Sequence, residues 1–252
     1  MNITGIKNKD ESSKIKAFIN IEINDVQLKG FKIYENEDKE LKLMLPSAMK
    51  HDKNGEVMKN AEGNIINFHP IIINPDLSNR SDLFKELEKK VIEAYNEPKE
   101  AGKEKEISKA VSMPEFEKGE LKSNNVFSIS KDKQKNPDYQ FKATSNLCVG
   151  AFRINQVNLI YNTIKNDYNV IFPQYQTTNK ETKEVTNMSF VVPKDKTTFS
   201  KIKNEVVNSY KIKTKEYQKQ VQQQALQQAQ QQAQQQGTVQ NVQATQSQGL
   251  TQ

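Results

Sequence analysis

The side chains of this chain that could do chemistry are lysines, and they fall into two kinds of place. Lys50, Lys53 and Lys59 lie in a stretch rich in Lys, Asp, Asn, Gly and Met between residues 47 and 64. Lys180 and Lys183 lie in a comparable stretch, QTTNKETKE. Lys201, Lys203, Lys211, Lys213 and Lys215 follow one another along a helical pattern near the C-terminal end. An ammonium on a flexible stem is a point charge suited to neutralising phosphate. Bidentate reading of guanine favours arginine, and only Arg80 and Arg153 are present. The expected ligand is DNA or RNA, held by its backbone and read weakly for sequence.

The same inventory argues against catalysis. His51 and His69 are the only histidines and Cys148 is the single cysteine, so no spacing resembles a zinc or catalytic site. No glycine-rich phosphate loop is present. The expectation is a non-enzyme without cofactor or metal. His69, before Pro70 in an apolar run, reads as packed. Cys148 reads as a small buried strand residue with no internal disulfide partner, which fits a reducing cytoplasm. The segment MNITGIKNKDESS has no apolar core of a signal peptide. No run approaches the roughly 18 apolar residues of a membrane span.

The net charge of +6 is unevenly placed. Residues 1–97 hold 15 Lys and Arg against 17 Asp and Glu, whereas residues 121–252 hold 17 against 8. Long-range attraction of an anionic polymer would favour the second part.

Positioning these charges falls to a pattern written twice. FKELEKKVIEAY (84–95) and FSKIKNEVVNSY (199–210) share an aromatic, then Leu87 or Ile202, a β-branched pair and a tyrosine on one helical face. Ser78 or Ser81 is positioned to cap the first of these helices. Upstream of it, Ile3 to Ile6, Lys16 to Ile23, Val26 to Tyr34 and Leu41 to Leu45 read as an antiparallel meander. Asn24-Asp25 reads as a turn and Gly30 as a bulge. Residues 47–64 read as an exposed loop, and Ile65 to Ile73 as a further strand. The order returns at Val126 to Ile129, Lys142-Ala143, Ile154 to Tyr161, Tyr168 to Phe172 and Pro173, ahead of the second helix.

The expected fold is α+β: two tandem repeats, each a small antiparallel sheet followed by a helix, pairing within the chain as a pseudo-dimer. The expected boundaries are 1–97, a solvated charged linker at 98–120, a second repeat at 121–217 and a low-complexity tail at 218–252. That tail contains 18 glutamines, and disorder is expected from Gly237 onward. It could recruit a protein partner.

The first repeat resembles the SpoVG family (stage V sporulation protein G), bacterial septation and sporulation regulators. The residues that carry the resemblance are Lys16-Ala17, Leu45-Pro46-Ser47, Gly55-Glu56, His69-Pro70-Ile71 and the helix ending at Tyr95. It covers about residues 1–96. Residues 122–211 look like a diverged copy that keeps Lys142-Ala143, Pro173 and the helix. The resemblance implies an antiparallel sheet with a C-terminal helix, dimer-type pairing and nucleic-acid binding without catalysis. The family's basic pair after Pro-Ser falls here on Ala48 and Met49, with Lys50 next, and Lys59 corresponds to the basic residue after Gly-Glu. A second reading stays open: a non-catalytic interaction scaffold that has lost DNA binding.

Overall fold

A computed structural model describes residues 1–50, 56–98, 100, 102–119, 121–129, 137–178, 182 and 184–247. The chain divides into two compact units, Met1–Ser209 and Tyr210–Gln252. The fold is α+β, with antiparallel sheets and a C-terminal helix.

The first meander is β1 (Asn2–Lys7), β2 (Ile15–Ile23), β3 (Val26–Glu35) and β4 (Leu41–Met44). Asn24 and Asp25 both take positive φ (48° and 59°), the geometry of a two-residue hairpin turn that matches strand twist. Between the pairs Ile19↔Phe31 and Ile21↔Leu28, β3 carries one extra residue, and Gly30 sits there at φ +92°. Next come β5 (Ala48–Met49), β6 (Asn67–Phe68), β7 (Ile71–Ile73) and α1 (Arg80–Asn96). Asn79, not Ser78 or Ser81, holds the α1 N-cap position, and no side chain caps it. Leu83, Leu87, Val91 and Ala94 form its buried stripe.

The segment expected as a solvated linker is part of the core. β8 (Glu106–Ala110) pairs with β1, and the short α2 (Pro114–Glu117) buries Phe116 completely. Ile107 and Met113 are buried with it. Three widely spaced apolar residues among lysines and glutamates escape a compositional reading, yet each fills a core position.

The second meander is β9 (Lys122–Ile129), β10 (Tyr139–Val149), β11 (Phe152–Asn162) and β12 (Asp167–Ile171). It is followed by β13 (Gln174–Thr178), β14 (Val185–Ser189), β15 (Val191–Pro193) and α3 (Lys196–Ser247). Its irregularities fall where those of the first meander fall. The steps Ile15/Ala17 and Ile19/Ile21 on β2 have counterparts at Phe141/Ala143 and Ser145/Leu147 on β10. Gln156, at φ +59°, occupies the bulge place that Gly30 occupies in β3.

Two short strands cross between the meanders. β7 pairs with β11 through Ile71↔Ile154 and Ile73↔Phe152, and β15 pairs with β3 through Val191↔Leu28 and Pro193↔Val26. The flanking backbone bonds match as well. Asn74 N–H donates to Ala151 O and Lys194 N–H to Asp25 O, both at 2.8 Å. Asn155 N–H donates to Pro70 O and Lys29 N–H to Phe190 O, again at 2.8 Å. Phe31 and Phe152 meet edge-on at 5.8 Å, and Phe116 lies 5.1 Å from Phe152, so the core joins both sheets through aromatic rings. Both sheets therefore lie in one compact unit, Met1–Ser209.

The glutamine-rich stretch, expected to be disordered from Gly237, is helical to Ser247. Ala and Gln, which with Leu226 make up residues 222–236, are good helix formers, whereas the Gly, Thr, Val and Asn residues beyond them carry no such preference. Among the described residues no helix is long and apolar enough to cross a membrane.

Candidate nucleic-acid interface

In the stretch expected as a loop at 47–64, the described residues 48–50 and 58–60 join a small β structure that fixes two of the predicted lysines. Beyond the β5–β6 pairs, Lys50 N–H donates to Ile66 O at 2.9 Å, and Lys50 O accepts Met58 N–H at 2.8 Å. Met58 O accepts Ile66 N–H at 2.9 Å, and Lys59 bridges Ile65. Asn60 closes the turn, its side-chain oxygen accepting the Glu62 and Asn64 N–H groups at 3.0 and 2.9 Å. Lys59 thus follows directly on the residue bonded to Lys50. Both lysines are exposed, and neither has a carboxylate partner among the described residues. Lys53 lies outside the described residues.

The second hairpin, β13 with β14, pairs from Gln174↔Ser189 to Thr178↔Val185. Lys180 and Lys183 lie outside the described residues. Both hairpins are rooted at one place. The Phe190 N–H donates to Pro173 O at 3.1 Å at the base of the second hairpin. The Phe190 ring packs on Tyr175 at 4.6 Å. A Cβ at Gly30 would come within 2.8 Å of that ring and 3.4 Å of Pro46, which precedes the first hairpin. Phe190, Tyr175 and Gly30 are positioning residues that sequence reasoning missed. The signal available was the bulge at Gly30, whose missing side chain leaves room for a ring from elsewhere.

In α3, Lys201 is exposed and lines a cleft of about 380 Å³ with Asn24, Asp25, Glu117 and Thr198. Lys203 is engaged: its Nζ lies 2.6 Å from Asp167, and that hydrogen bond holds the Asp167 carboxyl below the usual aspartate range. In the unit beginning at Tyr210, Lys211, Lys213 and Lys215 are exposed. Lys213 pairs with Glu216 at 3.4 Å, an exposed contact of little energetic weight.

His69, expected as packed, is exposed, while Pro70 beside it is buried. The His69 carbonyl accepts the Asn155 side-chain amide at 2.8 Å, so this peptide serves the strand crossing through its backbone. Cys148 is buried and forms no disulfide. Among the described residues no three His, Cys, Asp or Glu side chains are grouped to hold a metal ion.

No family model matches the chain, and no curated protein or solved structure matches it either.

Proposed function

We propose that this chain is a tandem SpoVG-like protein, two copies of one sheet-and-helix unit folded as a single-chain pseudo-dimer, and that it binds DNA or RNA as a non-enzymatic regulator. The matching bulges, the matching turns and the reciprocal β7 and β15 crossings support the duplication. The observation that carries the binding reading is the pair of exposed lysines, Lys50 and Lys59, without a carboxylate partner among the described residues and held together on a hairpin rooted beside its counterpart. Two hairpins from one root offer a phosphate backbone two points of contact without requiring a second chain. Lys53, Lys180 and Lys183 would add to them, with Lys201, Lys211, Lys213 and Lys215 contributing elsewhere on the chain and Lys203 held by Asp167. The family resemblance places such a regulator in septation or sporulation control. The buried Cys148, which forms no disulfide, supports a cytoplasmic setting.

A salt titration of binding to a short duplex and to single strands, read by fluorescence anisotropy, tests this. The full chain should bind tightly at about 50 mM salt and weaken steeply above it. Changing Lys50 and Lys59 together to Gln should reduce the slope of log affinity against log salt by about 2. An absence of binding at low salt would overturn the reading in favour of an interaction scaffold whose partner meets the glutamine-rich helix.

A further inference from the structure

The outer face of the first sheet carries a row of side chains that the fold does not require. Ile6 of β1 stands opposite Phe18 of β2, Phe18 opposite Lys32 of β3, and Lys32 opposite Met44 of β4. Their chain neighbours Ala17, Ile19, Ile33 and Leu43 are buried, so pleating directs this row to the other side. Ile6 is 61 %, Phe18 50 % and Met44 37 % exposed. Lys32 has no carboxylate partner among the described residues. Thr4 and Asn20 lie along one flank of the row and Tyr34 and Lys42 along the other, with Lys42 paired to Glu40 at 3.1 Å. Glu106 faces Ile6 at the far edge and is the one carboxylate in line with the row.

The second sheet is an internal control. One residue beyond the shared step at Ala17 and Ala143, the place of Phe18 is taken by Thr144, that of Lys32 by Asn158 and that of Met44 by Ile171. Thr144 closes onto Asn158 with a hydroxyl-to-amide hydrogen bond of 3.0 Å. The same strand pairing is thus made with a polar centre, and the exposed phenylalanine and free ammonium of the first sheet are surplus to folding.

We propose that this face is a stacking platform for single-stranded nucleic acid, with a base lying on Phe18 and a phosphate at Lys32. The proposal rests on the nucleic-acid reading above and assigns it a second surface and a strand preference. Stacking on an exposed aromatic works with any base, because every base has a π-face, but it requires bases that are not already enclosed in a duplex. Ile6 and Met44 extend the apolar contact on either side. The position of Lys32 selects the occupant. An apolar protein surface closing over the row would bury an unpaired ammonium at high cost, whereas a phosphate pairs it.

The test compares a labelled oligothymidylate with a short duplex on the full chain and on Phe18→Thr and Lys32→Asn, which install the residue types of the second sheet. Phe18→Thr should weaken oligothymidylate binding about tenfold and leave duplex binding unchanged. Lys32→Asn should lower the salt slope for the single strand alone. If Phe18→Thr binds the oligomer as the parent does while duplex binding persists, the platform is wrong and the hairpin reading stands. A parent chain that binds neither polymer removes both. Self-association of the parent that Phe18→Thr abolishes, with oligomer binding unchanged, would assign the face to a second copy and overturn the proposal. Should Phe18→Thr fail to fold, photo-crosslinking of the parent to a 5-iodouracil oligomer decides. Adducts within 15–34 support the platform, and adducts found only elsewhere overturn it.

Discussion

Beneath the first sheet, Ile3, Ile19, Leu83 and Ala94 are fully or almost fully buried. At the matching places of the second stand Ser123, Ser145, Thr198 and Ser209. The two sheets share a register and its irregularities, yet one core is aliphatic and the other is partly hydroxylic. Backbone pairing is therefore what the two sheets share, and side-chain chemistry is where they differ. The second half offsets its smaller apolar content with specific polar contacts. The Glu205 carboxylate accepts the Ser123 N–H at 3.1 Å, and the Ser209 hydroxyl donates to the Ser123 carbonyl at 3.3 Å. It also borrows apolar surface, since Phe152 packs against Phe116 and Phe31, both outside the second meander.

The largest way to sharpen this contrast is to give the first core the chemistry of the second. Ile3→Ser removes a buried side chain and leaves a hydroxyl in an aliphatic pocket, and it should cost about 3–5 kcal/mol in denaturant unfolding. A cost below about 1 kcal/mol would mean that the first core tolerates polarity as the second does. The converse change is smaller. The Ser123 hydroxyl is buried without a hydrogen-bond partner among the described residues, so Ser123→Ala should raise stability by about 1 kcal/mol, seen as a shifted denaturation midpoint at constant slope. A loss of stability there would reveal a partner for that hydroxyl.

Much of this architecture was legible in the sequence because strands of period two and hairpin turns are local properties. The alternation of Ala17, Ile19, Ile21 and Ile23, the Asn24-Asp25 turn and the Gly30 bulge all lie where the residues put them. The crossings were not legible. Ile71–Ile73 and Val191–Pro193 look like ordinary short strands, and nothing local states that each pairs with the other meander. Phe116 was hidden for a related reason: one buried ring in a charged segment gives no periodicity. Of the candidate lysines, sequence located the charge but not its availability. Lys50 and Lys203 look alike in the chain, yet one stands exposed on a hairpin without a carboxylate partner among the described residues and the other is tied to Asp167. Phe18 shares its alternate positions with Lys16, Asn20 and Glu22 along its strand, and nothing local in the sequence distinguishes its exposed ring from a packed one.

The central claim, that hairpins from both halves act together on one nucleic-acid backbone, is tested most directly by hydrogen exchange of the full chain with and without a short duplex at low salt. Backbone amides within 48–68 and 174–189 should gain protection together, at the same duplex concentration. Protection confined to one hairpin, or to the helix beyond Tyr210 alone, would contradict the account.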